Sequence, residues 1–367
     1  MPLSDQNIIF ITGASRSGTT LLSFILRNHS KVFGLKELHY FGESWDPRKP
    51  DQKMNERQMV SAVANIYKCQ EQGVLAAKNT HRYCERAQAL INSLDKINRE
   101  PANLFMAAVS ELCEAEGKSI PCEQTPRNIF YADELLRTYP DAKVIHIIRD
   151  PRAVMASQKY RWKRRSLATD KKGVSRYQSV RVWVNYHPFT VARMWLKATQ
   201  QAMRLVSHPR FTLVRFEDLI QEPEKTVLFL CDRLGLQFES LMLEVGQINS
   251  SHQSSIGGAR KGLQTDSIDK WRKILSPREI AAANRLCHDL MAEHSYDQPM
   301  QKNENSHNEL FNYLTYPFHL AGVFVINPRR ALVQTRALLG RGRKNKKAID
   351  QPKSDIEDNK STNARKA

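Results

Sequence analysis

Residues 13 to 20, GASRSGTT, gather two glycines, one cation and four hydroxyl side chains into a short turn. The run before it, NIIFIT (7–12), is β-branched and apolar, as a buried parallel strand requires. The run after it, TTLLSFILRNH, has helical spacing. A glycine turn between a strand and a helix aims several backbone N–H groups at one point, and the helix dipole adds partial positive charge there. Such a turn suits a phosphate-type anion. Gly13 and Gly18 have the spacing of a nucleotide-binding P-loop, but Thr19 stands where that loop carries its lysine. The cation is Arg16, inside the turn, with Thr19 and Thr20 as hydroxyl donors at the helix start. An ordinary tight strand-to-helix turn is the competing reading.

A second group lies in VIHIIRDPRAVMAS (144–157). Arg149 leaves the carboxyl end of an apolar strand, Pro151 begins a helix, and Ser157 falls about two turns along it. Both side chains can then converge on one anion. Taken singly, Arg149 is equally a local partner of Asp150, and Ser157 an exposed helix serine.

These groups need a scaffold, and the rest of the chain supplies one. Its 367 residues are 41% apolar, enough for a sizeable core, and carry a formal charge of +18. That charge points to anionic partners. Helical patterns occupy 61–70, 85–94, and PANLFMAAVSELCEAEG from Pro101 to a stop at Gly117. SIPCEQT contains a strand end, and KVIHII and RFTLVRFEDL (210–219) read as further strands. FYADELLRTYP is helix-like. A long helical stretch runs from Tyr177 to Val206, with a kink expected at Pro188. EKTVLFLCDRLGL ends at Gly235, and a helix over 276–294 has Ser276 as N-cap and Pro277 at its first position. Strands alternating with helices predict an α/β fold: a P-loop-like parallel sheet with helices on both faces. The expected divisions are an α/β domain over 1–300, a helical or amphipathic extension over 301–340, and a disordered basic tail over 341–367.

The six cysteines are scattered without a C-x-x-C pair, so buried reduced thiols are expected. No signal peptide is visible, and FHLAGVFVI (318–326) is too short to span a bilayer. A cytoplasmic location follows as an expectation. Peripheral contact with anionic lipid through the basic C-terminal region is a further one. No nucleic-acid partner is expected, and oligomeric state is not legible.

With these groups in view, SRSGTTLL after an apolar strand resembles the 5′-phosphosulfate loop of sulfotransferases that use 3′-phosphoadenosine 5′-phosphosulfate (PAPS). The 144–157 block is similar to that family's 3′-phosphate motif. The resemblance covers roughly residues 7 to 295. It implies a PAPS site made by Ser15, Arg16, Ser17, Gly18, Thr19 and Thr20 at the 5′ side, with Arg149 and Ser157 at the 3′-phosphate. LVRFEDL resembles the family's Y-E-D-L strand end, which puts Phe216 near the adenine. ARKGLQTDSIDKW (259–271) resembles a segment that closes over the nucleotide, implying Arg260, Lys261 and Gly262 beside the 3′-phosphate and Trp271 as the late tryptophan. The family's lysine before T-P is replaced by Gln124 in EQTPRN, so a second cation must come from elsewhere, with Lys78 a candidate.

The implied activity is in-line transfer of a sulfuryl group to a hydroxyl or amine of a carbohydrate, glycolipid, peptide or small molecule. Positioning and electrostatics supply most of such catalysis, and no metal is required. The sequence shows no metal-ligand spacing. The resemblance makes Glu37, in FGLKELHYF, the first candidate for the base, with His39 and His81 as alternatives. A P-loop kinase or NTPase is the rival enzyme reading, with VIHIIRD as its Walker B strand and Asp150 on magnesium. A basic nucleic-acid or membrane-surface protein is the non-enzymatic one.

Overall fold

The first strand, β1 (Ile9–Gly13), is buried along its whole length. Its residues alternate between two cores. Ile8 and Phe10 join Phe41, Phe105, Tyr139 and Trp195 on one face of the sheet. Ile9 and Ile11 join Leu22, Ile25, Val214 and Leu230 on the other. Burying each such side chain contributes about 1.5–3 kcal/mol. This double burial is why the run reads as unbroken apolar sequence. The computed structural model describes residues 6–73, 80–163, 176–245, 267–296, 306–328, 331, 332 and 335.

In chain order, β1 leads to α1 (Thr19–Arg27), β2 (Val32–Gly34), α2 (Glu56–Gln72), α3 (Cys84–Ser93), α4 (Pro101–Glu114), β3 (Ile120–Glu123) and α5 (Ala132–Thr138). Then come β4 (Lys143–Ile148), α6 (Pro151–Lys159), α7 (Arg176–Trp183), α8 (Pro188–Met203), β5 (Phe211–Arg215), α9 (Phe216–Gln221) and α10 (Pro223–Leu234). The C-terminal part holds α11 (Trp271–Ile274), α12 (Pro277–Glu293) and α13 (Ser306–Ile326). The strands form one sheet in the order β2-β3-β1-β4-β5, and every pairing is parallel. The chain runs to one side of β1 and then crosses to β4 on the other. The order therefore reverses at β1, and in open sheets of this kind the ligand crevice lies beyond the carboxyl ends of the strands at that point, here β1 and β4. Both sequence groups singled out above leave the sheet there.

The local signals act as expected at several ends. Pro101 begins α4, and Gly117 takes a left-handed backbone just beyond it (φ 65°). Gly235 ends α10 in the same way, and Ser276 and Glu279 form a capping box on α12.

Two expectations need correction, and one strand went unread. Pro188 does not kink one long helix. It starts α8 as a separate helix, which the His187 side chain caps by accepting from the Phe189 N–H at 3.2 Å. A proline lacks an N–H and fits a first helical turn better than an interior. The 210–219 run is a strand only to Arg215, and Phe216 already opens α9. The short strand β2 has no counterpart in the sequence reading, because three residues carry no period.

Candidate active site

The GASRSGTT loop closes on itself through the Ser17 N–H and the Ala14 carbonyl, 3.0 Å apart. Two of its residues take left-handed backbone, Gly18 (φ 110°) and Arg16 (φ 81°). At Gly18 the reason is also steric: a Cβ there would lie 2.5 Å from the Phe216 ring. No side chain caps the start of α1, so its first N–H groups face the crevice without an intrahelical partner. Ser17 is fully buried, and among the described residues its Oγ has no hydrogen-bond partner. A buried donor of this kind fits an anion seated in the loop.

Arg149 comes from the end of β4 and lies beside this loop. Its Nη1 donates to the Arg16 carbonyl at 3.3 Å and its Nη2 to the Ser267 carbonyl at 2.6 Å. Among the described residues its Nε is buried without a partner, and burial pulls its pKa down against the nearby Glu217 and Asp150 charges. Only 9% of the residue is exposed. An anion is the natural complement of such a group. Ser157, on α6, accepts from Arg16 Nε at 3.2 Å, so the two sequence motifs meet through Arg16. Gln158 adds a second link, donating to the Ser15 carbonyl at 3.1 Å.

Phe216 packs beneath Gly18 with the Arg149 guanidinium 4.0 Å over its ring, and 5% of it is exposed. Its expected place beside the adenine competes with the arginine that already covers one face. As folded, the ring is a floor joining the two anion motifs. Trp271 is likewise buried, under the guanidinium of Arg152 at 4.1 Å.

Arg152, Trp195 and Glu217, which hold this arrangement, escaped the sequence reading, and Asp150 plays another part than either expected of it. Asp150 does not pair with Arg149. Both its oxygens are engaged by Arg152, with Nη2 to Oδ2 at 2.7 Å, and it caps α6 through the Arg152 N–H. A carboxylate so occupied is a poor magnesium ligand, which removes the support for the Walker B assignment. Trp195 Nε1 donates to the Arg149 carbonyl at 2.8 Å. Glu217, raised in pKa by burial, accepts from the Asp150 N–H at 3.1 Å and from Tyr296 at 3.2 Å.

Glu37 faces the same crevice from the segment after β2. Its carboxylate bonds His39 Nε2 at 3.1 Å, and about a third of the side chain (35%) remains exposed. Burial alone would raise its pKa. The His39 hydrogen bond and the charges of His39, Arg161 and Arg16 outweigh that and hold it below the ordinary carboxylate range. Arg161, in a short 3₁₀ turn after α6, is thus near enough for its charge to act on Glu37. His39 itself has a left-handed backbone (φ 53°), and its N–H donates to Thr125 at 3.2 Å. Beneath this segment Glu123 is buried and pushed up to about 7 by desolvation. It accepts from the Leu38 N–H at 3.1 Å, the Thr125 N–H at 3.0 Å, Asn128 Nδ2 at 2.7 Å and the Thr125 hydroxyl. Glu123 therefore fixes the backbone that presents Glu37 and His39.

Gln124 is buried at the expected place, with its Oε1 unpartnered among the described residues. Arg260, Lys261, Gly262 and Lys78 lie outside the described residues. His81 begins a 3₁₀ turn before α3. Among the described residues no group of three or more His, Cys, Asp or Glu side chains gathers closely enough to hold a metal.

Comparison with known proteins gives a consistent result. A family model described as the sulfotransferase family matches residues 8–240. Nodulation protein NoeE of Sinorhizobium fredii is 27% identical over 313 residues, covering 80% of this chain and 67% of that protein. Carbohydrate sulfotransferase 6 of Homo sapiens is 31% identical over 159 residues, which is 40% of this chain and 39% of the relative. The sulfotransferase domain of the Synechococcus PCC 7002 olefin synthase shares the fold, with a TM-score of 0.50 at 22% identity, over 80% of this chain and 96% of that one.

Proposed function

The chain belongs to the sulfotransferase family, whose shared activity is sulfuryl transfer from PAPS, and from that premise we propose that it sulfates a hydroxyl of a carbohydrate or glycolipid. The observation that carries the reading is the meeting of Arg16, Ser157 and Arg149, with Arg16 Nε 3.2 Å from Ser157 and Arg149 Nη1 3.3 Å from the Arg16 carbonyl. One anion end of the donor, the 5′-phosphosulfate, would be held by the N–H groups and hydroxyls of Ser15 to Thr20. The other, the 3′-phosphate, would be held by Arg149 and Ser157, with Arg260, Lys261 and Gly262 as further contacts. PAPS is a co-substrate in this scheme.

Glu37 is the proposed base. Held ionised by His39, Arg161 and Arg16, it takes the acceptor proton as the acceptor oxygen attacks sulfur. The bond between sulfur and the bridging phosphate oxygen breaks. That oxygen leaves with the electron pair, and its charge is met by Arg16 and the loop N–H groups. His39 orients Glu37 through the 3.1 Å hydrogen bond. The carbohydrate part of the proposal draws on relatives named as carbohydrate sulfotransferases.

Radiolabelled PAPS offered with separate panels of oligosaccharides, glycolipids, peptides and phenols tests it. Label is expected on a sugar hydroxyl with the wild type and not with Arg16→Ala. Label confined to peptides or phenols would contradict the acceptor class.

A further inference from the structure

Helix α13 is built inside out. A helix lying on a protein in water buries its apolar stripe and shows its polar one. Here polar side chains share the attachment with the buried Val323 and the ring contacts of Phe189 with Tyr313 and Tyr316. Asn312 donates to the Arg278 carbonyl at 3.2 Å, Thr315 pairs with His187 at 3.2 Å, and His319 with Thr190 at 2.8 Å. Asn327 accepts from Arg181 Nε at 2.7 Å. Asn312 and Asn327 are both buried.

The outward face is the apolar one. Phe311, Leu314, Phe318 and Val325 are 53%, 60%, 80% and 80% exposed. Their spacing of i, i+3, i+7 and i+14 lays them in one stripe along the helix. Tyr313 and Phe324 widen it, and Trp183 of α7 is exposed near the point where Val184 packs on Val323. No Asp, Glu, Lys or Arg occurs from Leu310 to Pro328. A contiguous apolar face of this kind marks a surface that is covered in use.

Its rim says by what. The Arg278 guanidinium lies 4.9 Å over Phe311, Arg193 4.9 Å over Tyr316, and Arg285 5.9 Å from Tyr313. All three arginines are exposed. Immediately beyond the helix, the sequence from Arg329 to Lys347 carries eight Lys and Arg and no acid. A second copy of the chain would bring like charges together around the apolar face. A layer with an apolar interior and anionic headgroups satisfies both parts at once. No helix among the described residues is long and apolar enough to cross a membrane, so α13 would lie along the surface.

We propose that α13 docks in the plane of an anionic bilayer, with Phe311, Leu314, Phe318 and Val325 in the acyl boundary and Arg193, Arg278 and Arg285 at the headgroups. The proposal is independent of the acceptor. It is tested with the full chain and vesicles of phosphatidylcholine, with and without phosphatidylglycerol, by co-sedimentation. The wild type is expected to bind the mixed vesicles and to bind pure phosphatidylcholine more weakly. The double variant Phe318→Asp/Val325→Asp is expected to lose affinity by on the order of tenfold or more, while still binding adenosine 3′,5′-bisphosphate. If that variant does not bind the nucleotide, Leu314→Asp serves in its place. Undiminished vesicle binding by the variant would overturn the proposal, because charge alone would then account for it. So would a wild type that ignores vesicles, or one that is a dimer until the stripe is broken.

Discussion

Arg16 and His39 both hold left-handed backbone that side chains rarely adopt, at φ 81° and 53°. Such conformations cost about 1–3 kcal/mol each and persist where the surroundings impose them. Here each sets a group of the proposed site: the cation of the glycine loop, and the partner of Glu37. Replacing Arg16 by glycine keeps the turn, since glycine accepts that backbone freely, and removes the cation together with its hydrogen bond to Ser157. We expect kcat to fall about 10²–10³-fold, with affinity for the 3′-phosphate end changed by less than about tenfold, measured by steady-state kinetics and calorimetry. As the proposed base, Glu37 must be ionised to take a proton, and its pKa is depressed by His39, Arg161 and Arg16 against the opposing effect of burial. Activity should therefore persist as the pH falls from neutrality and be lost only below the range where an ordinary carboxylate titrates. Glu37→Gln should lower kcat/KM by about 10²–10⁴-fold and abolish that acid limb in the pH profile.

At the scale of elements, the site depends on how β1, β4 and β5 release their chains. Gly18 lets α1 start directly above Phe216, and Arg149 crosses the same ring at the end of β4. Behind them the Asp150–Arg152 pair is buried, with side chains 9% and 1% exposed. Removing one partner strands a charge. Arg152→Met should therefore lower stability to urea by about 3–5 kcal/mol and weaken nucleotide binding with it. The sequence announced the loop and the 144–157 block because their chemistry is local: glycine, hydroxyl and proline positions within a few residues. It could not announce Arg161, Glu123 or Glu217, since nothing near them in sequence shows that folding brings them to the crevice. Pro188 misled for the opposite reason, as two helices with similar periodicity abut and the proline alone does not distinguish a kink from a new start. β2 is shorter than any period that could reveal it.

Across the whole molecule, one parallel sheet separates two cores, and its reversal at β1 puts the proposed anion loop and Arg149 on the same edge. The α/β class and the sidedness of the sheet were readable from alternating strand and helix patterns. The inverted polarity of α13 was not, because the polar contacts that attach it come from α7, α8 and α12. A net charge of +18 favours the approach of a polyanionic nucleotide to the protein, more weakly as salt rises. The central claim is that the edge is built for a nucleotide carrying separate 5′ and 3′ anions, held by arginine, N–H groups and hydroxyls. Calorimetric titration of the full chain with adenosine 3′,5′-bisphosphate in the presence of a chelator tests it most directly. The account expects one site with Kd of about micromolar order, weakened strongly by Arg149→Ala. No binding of that nucleotide, together with magnesium-dependent binding of ATP, would contradict it.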